Sequence, residues 1–283
     1  MPHYGRVHVA EPLSNLMLVH RHDGTELHTS TFEPPLCVLN QQTLVQQGIT
    51  TASVVGGARP GIDALGSCAA NATTAHLSQI LTKDAFKRYC VQMAHVSVPL
   101  QWNPYTDSEV AEEAAIGFYA FETKATGTTS TEWPPTDCGS SGPYIAEGTM
   151  RLGFVQSQKI AQTPQDLVSL LQTGSVLQGT PFFMAWEKPD AEGFVDQDGS
   201  VTALNAAVAS GVAGGHETLI CAIEAVEQRT TGAVVPEKTV LRVRNSWGIE
   251  WGHSGDFRIH LSTLAALGHY CDFRALVPFP GAR

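Results

Sequence analysis

An α+β chain, helical in its first half and sheet-rich in its second, is the fold class that two patterns predict. Residues 68–81 carry alanines at 69, 72 and 75, a three-residue spacing that lets other elements approach closely, as in a helix buried between layers. In the second half, 182–186, 218–226, 240–244 and 257–261 are apolar or alternating runs with strand character. The length, 283 residues, suits two lobes and a sizeable core.

Composition narrows the partners. Hydrophobic residues make up 43% and charged residues 16%, which describes a globular chain rather than a disordered one. Seventeen basic against twenty-seven acidic residues give a net charge of −10 with no basic stripe, so nucleic acid and anionic membrane are excluded as expected partners. The longest early apolar run, Leu16-Met17-Leu18-Val19, is too short for a signal or membrane helix. A cytoplasmic location is expected, or a secreted one if the chain is a processed form. Six cysteines lie far apart without a C-x-x-C pair, in keeping with a reducing compartment.

In chain order, residues 1–50 are His-rich and weakly patterned. His20-x-His22 lacks a Cys or carboxylate at ligand spacing, so it reads as solvated imidazoles and no metal is expected. Gly, Pro and Asp mark 54–66 as a loop, and Gly66-Ser67 halts the following helix at Cys68. Helices are expected at 108–121 and 144–152, separated by a Pro-Gly-Ser surface loop over 133–143. A short helix at 164–171 follows, with Thr163 as N-cap. Asp196-x-Asp198-Gly199 begins like a calcium loop but lacks the remainder, and is read as a hairpin turn.

The densest stretch is Asn245 to Gly255, with an amide, two indoles and three glycines directly after the strand-like run 240–244. Alone it could be a Trp-rich turn. Cys68 could likewise be a small core residue, His216 a structural histidine and Asn245 a turn former. Their joint occurrence points to chemistry. A thiolate is the nucleophilic form of Cys, and a helix N-terminus together with an imidazolium favours it. His216 would supply that imidazolium and later protonate a leaving amine. An Asn245 amide oxygen would fix the ring's tautomer without adding charge, and Trp247 would shield the His–Asn bond. Strand parity places Asn245 on the face of Leu241 and Val243.

Gly66-Ser67-Cys68-Ala69-Ala70-Asn71-Ala72, Gly214-Gly215-His216 and Asn245-Ser246-Trp247-Gly248-x-x-Trp251-Gly252-x-x-Gly255 together resemble the nucleophile, histidine and asparagine motifs of the papain-like cysteine peptidases, the first in its bacterial-type form. The resemblance covers about residues 60–278. It implies a two-lobed α+β fold: a helical lobe with a central nucleophile helix, and an antiparallel β-barrel-like lobe. The corresponding division is 1–50 as an N-terminal extension, 51–155 as the helical lobe with Cys68, and 156–283 as the β-rich lobe with His216 and Asn245. It further implies hydrolysis of peptide or protein substrates through a thioester, with neither metal nor organic cofactor. Gly139, Ser140 and Gly215 are candidate substrate contacts, the stretch from Cys138 to Gly142 being either a cleft wall or a plain surface loop. With no long propeptide before Cys68, residues 1–45 are expected to pack against or across the cleft as a regulatory segment.

One departure matters. The family's oxyanion-donating Gln stands six residues before the nucleophile, where this chain has Ile62. Either Gln47 is the displaced donor beside the Cys68 backbone N–H, with about 49–63 inserted, or the module is weakened or inactive and serves binding or assembly. Losing one such donor typically costs about 10²–10³ in rate.

Overall fold

The computed structural model describes residues 16–18, 27–32, 66–94, 108–125 and 138–282. Its architecture is α+β. Helix α1 (Cys68–Ile80) starts after Ser67, whose carbonyl receives the first helical bond, from Asn71 N. From Cys68 to Ser78 every residue is buried. A helix buried on all sides must satisfy its polar side chains internally. Thr73 and Ser78 donate to Ala69 O and Ala75 O, Thr74 pairs with Tyr89, and His76 is held between Ser175 and the Leu276 N–H. Around α1 pack α2 (Lys83–Ala94), α3 (Ser108–Ala125) and α4 (Gly142–Arg151), with Phe86, Tyr89 and Phe118 filling the core between them. Where α2 meets α3, Gly117 lies so close to its neighbour that a Cβ would sit 1.9 Å from Met93 O.

The strands are β1 (Leu16–Leu18), β2 (Ser30–Thr31), β3 (Val155–Ile160), β4 (Val176–Phe183), β5 (Val212–Ala225), β6 (Val240–Arg244), β7 (Asp256–His260) and β8 (Asp272–Pro278). They form one sheet in the order β1-β3-β8-β4-β5-β6-β7, with β2 added alongside β5. All pairings are antiparallel except β1 with β3. One face, through Leu177, Leu219 and Leu276, joins the core of α1–α4. The other carries a second core with Phe182, Trp186, Val243 and Phe257, closed by α5 (Pro164–Leu170) and α7 (Leu261–Leu267). Being covered on both faces, the central strands β4 and β5 read as nearly continuous buried runs.

Several expectations change here. The α+β class holds, and the sheet is open, with β1 and β7 at its ends among the described residues. Only the first two residues of the 182–186 run are strand: β4 ends at Phe183, and Met184–Glu187 is a 3-10 turn. Sequence patterning missed the start of β4 because Gln178, Gly179 and Pro181 break its apolar run while pairing opposite β5. β5 likewise begins at Val212, six residues before the expected Thr218. The four expected helices agree to within a few residues, whereas α2, α6 (Val201–Ala209) and α7 were not anticipated, and Thr163 caps α5 in a reciprocal box with Asp166. Asp196 to Gly199 is a turn, but it leads into α6 (Val201–Ala209), capped by Ser200, rather than closing a hairpin. Its Asp196 carboxylate is used in tertiary contacts, accepting from His260 N and Thr263 Oγ1.

Of residues 1–50, the described pieces are built into the sheet. Ser30 and Thr31 pair with Ile223 and Ala222, at the opposite end of β5 from His216. The remainder of that segment lies outside the described residues. No helix among the described residues is long and apolar enough to cross a membrane.

Candidate active site

His216 stands in β5, which pairs with β4 and β6. Asn245 follows the last residue of β6, and the alternation Leu241, Val243, Asn245 is buried throughout, as strand parity requires. The turn after Asn245 is held by the bond from Asn245 N to Gly255 O, 3.0 Å, and by Gly255 N to Trp251 O, 2.8 Å. Gly252 has φ +58°, and a Cβ there would lie 2.4 Å from Asp256 O, so no larger residue fits this return. Asp256 then receives Arg244 at 2.6 Å and Arg242 at 3.0 Å, which clamps the end of β6 next to Asn245.

His216 Nε2 and Asn245 Oδ1 are 2.8 Å apart. The same Oδ1 accepts from Ser246 N, 2.8 Å, so the amide presents its oxygen to the ring and Nε2 is the protonated nitrogen. Nδ1 is therefore the basic nitrogen of the neutral imidazole. Trp247 stacks on the ring at 4.9 Å and 26°, and Phe182 meets it edge-on at 5.1 Å. Trp251 packs on Trp247 and donates from Nε1 to Glu187 O. Trp247 was anticipated from sequence. Phe182 and the Arg242–Arg244–Asp256 clamp were not, because nothing in a local apolar or charged run shows which strand it will face.

Cys68 is the first residue of α1, and its sulfur accepts from Glu217 N at 3.5 Å. The thiol thus lies against the residue that follows His216, although the two are far apart in sequence. Cys68 and His216 are both 0% exposed. Burial pushes the His216 pKa down to about 4, opposed by the Asn245 hydrogen bond. The ring is therefore neutral at neutral pH.

The remaining candidates divide. Gly215 is partly exposed in β5, opposite Pro181. Gly139 and Ser140 are buried: Gly139 N donates to Tyr119 Oη at 2.7 Å, and the Ser140 hydroxyl donates to Glu122. The described end of the 133–143 stretch is thus interior rather than a surface loop. Its small residues let it dock against α3 and the Arg274–Asp272 pair, which a Cβ at Gly142 would strike. Gln47 and Ile62 lie outside the described residues. Among the described residues, no group of three or more His, Cys, Asp or Glu could hold a metal ion.

No family model matches the chain, and no curated protein does. Solved structures similar to it include xylellain, a cysteine protease from Xylella fastidiosa, at 12% identity and a TM-score of 0.49, covering 98% of this chain and 96% of that one. Digestive procathepsin L2 from the larval midgut of Tenebrio molitor is 13% identical at a TM-score of 0.41, with 97% and 78% covered. ProCathepsin B S9 from Trypanosoma congolense is 11% identical at 0.42, with 98% and 87% covered.

Proposed function

We propose that this chain is a papain-like cysteine peptidase, with Cys68 as nucleophile, His216 as general base and acid, and Asn245 as the group that orients the ring. The observation that carries the reading is the His216 Nε2–Asn245 Oδ1 bond under the Trp247 ring, with the Cys68 sulfur against Glu217 N. The motifs around all three residues support it. In the proposed reaction His216 Nδ1 takes the thiol proton as Cys68 Sγ bonds to the substrate carbonyl carbon. The proton then passes to the departing amine as the C–N bond breaks. Water, deprotonated by the same nitrogen, hydrolyses the thioester and returns the thiol. The Cys68 backbone N–H and a second donor, Gln47 in this proposal, stabilise the oxyanion.

A second reading is favoured by Ile62 at the usual position of the oxyanion Gln. There the fold is kept for binding or assembly without turnover. Thiol labelling separates the two. Cys90 and Cys221 are as buried as Cys68, so they serve as internal references. Iodoacetamide at neutral pH, located by mass spectrometry, is expected to modify Cys68 faster than Cys90 and Cys221, with Cys68→Ala as control. Equal slow labelling of the three removes the peptidase reading.

A further inference from the structure

On the face of β6 opposite Leu241 and Val243, charged side chains run across three strands. Glu224 of β5 accepts from Arg258 Nε of β7 at 2.5 Å and pairs with Arg242 Nε of β6 at 3.3 Å. Asp256, at the start of β7, accepts from Arg242 Nη1 at 3.0 Å and, in a two-point fork, from Arg244 Nε at 2.6 Å and Nη2 at 3.1 Å. Arg242 and Arg258 stand directly opposite in register, where like charges repel, and the two carboxylates beside them offset that repulsion. Exposed ion pairs contribute little to stability. The Asp256 pairs differ: the Asp256, Arg244 and Arg242 side chains are 6%, 14% and 17% exposed, and the fork fixes direction as well as distance.

The place of that fork in the ladder gives it a role. Arg244 and Asp256 form the last rung between β6 and β7, and the next bond, Asn245 N to Gly255 O at 3.0 Å, closes the loop that carries Trp247. Asp256 O also accepts from His253 N at 2.8 Å, inside the same loop. Successive strand residues point to opposite faces, so an Arg244 held on one face turns Asn245 to the other, toward His216. The carboxylate thus holds both strands where the chain leaves β6 for Asn245 and returns to β7. We infer that Asp256 is a positioning residue for the proposed reaction: through Arg244 it fixes the Asn245 amide, and through that amide the His216 ring. The inference rests on the peptidase reading and deepens it, adding a residue that acts on the imidazole from the opposite face of the sheet.

Three substitutions test it. Asp256→Asn removes the charge at constant size, Arg244→Lys keeps the charge but loses the fork, and Glu224→Gln breaks the same kind of pair farther from Asn245. The first two are expected to lower kcat about tenfold with KM within about twofold of the parent, as a less well held general base requires. Glu224→Gln is expected to keep the parental kcat. The nitrogen-15 spectrum of the His216 ring reports the same role without turnover. The parent is expected to show one tautomer, protonated at Nε2, and Asp256→Asn a mixture of both. A ring spectrum unchanged in Asp256→Asn, or a loss of kcat in Glu224→Gln equal to that in Asp256→Asn, overturns the role. If urea denaturation shows Asp256→Asn to be unfolded, Arg244→Lys decides by the same readouts. If the unsubstituted protein cleaves no peptide, the peptidase reading falls, and the ring spectrum by itself decides whether Asp256 positions His216.

Discussion

Asn245 Oδ1 accepts from two donors, the His216 ring and Ser246 N–H, and both lie in a buried setting. Asn245→Ala removes the acceptor from a buried N–H, which costs about 1–3 kcal/mol of stability and frees the ring's tautomer and orientation. On the proposed mechanism kcat falls by about 10² while KM changes little, since no substrate contact is lost. Single-turnover rates together with urea midpoints check this. A fall in midpoint with kcat unchanged would leave Asn245 a structural role only. The candidate residues stood out in the sequence because each sits in a motif with local chemistry: Cys68 after Gly66-Ser67, His216 after two glycines, Asn245 before Trp247. Phe182 and Asp256 were not, since their contacts join strands that neighbour each other only in the folded sheet.

Two helices make separate tests at the element scale. In α5 the Thr163 hydroxyl accepts from Asp166 N while the Asp166 carboxylate accepts from Thr163 N. Thr163→Ala should lower unfolding free energy by about 1 kcal/mol, read from urea denaturation with an unchanged m-value. Gly117→Ala should cost more, about 1–3 kcal/mol, because its Cβ would meet backbone rather than a side chain able to move. A Gly117→Ala protein as stable as the parent would mean that α2 and α3 can separate without loss. The first of these positions was visible in sequence as a cap before Pro164. The second was not, since a glycine inside a helical pattern does not reveal which backbone passes over it.

At the scale of the whole molecule, three buried groups among the described residues shape the pH dependence of stability between about pH 4.5 and 8. Burial holds His76 down to about 3 and His216 to about 4, and raises Glu122 to about 8 against the Ser140 hydrogen bond. Between about pH 6.5 and 4.5 the unfolded chain binds two histidine protons that the folded one does not, while folded Glu122 holds one that the unfolded chain has lost. The unfolded state thus binds one more proton net, and stability falls as pH drops, by about 1.4 kcal/mol per unit. Between about 6.5 and 8 only Glu122 differs, the folded state binds one more proton, and stability falls as pH rises. A maximum near pH 6.5 is therefore expected in urea midpoints measured from pH 4.5 to 8, and a steady rise across that range would contradict it. Taken alone, the sequence determined the α+β class, most helices, the inward face of β6 and the residues of the candidate site, because these follow from short-range periodicity and local turn chemistry. Only the tertiary structure decided that the sheet stays open, that Gly139 and Ser140 turn inward to Tyr119 and Glu122, and that Cys68 meets Glu217. Each of these depends on burial and hydrogen-bond satisfaction between segments distant in the chain, which no local pattern encodes.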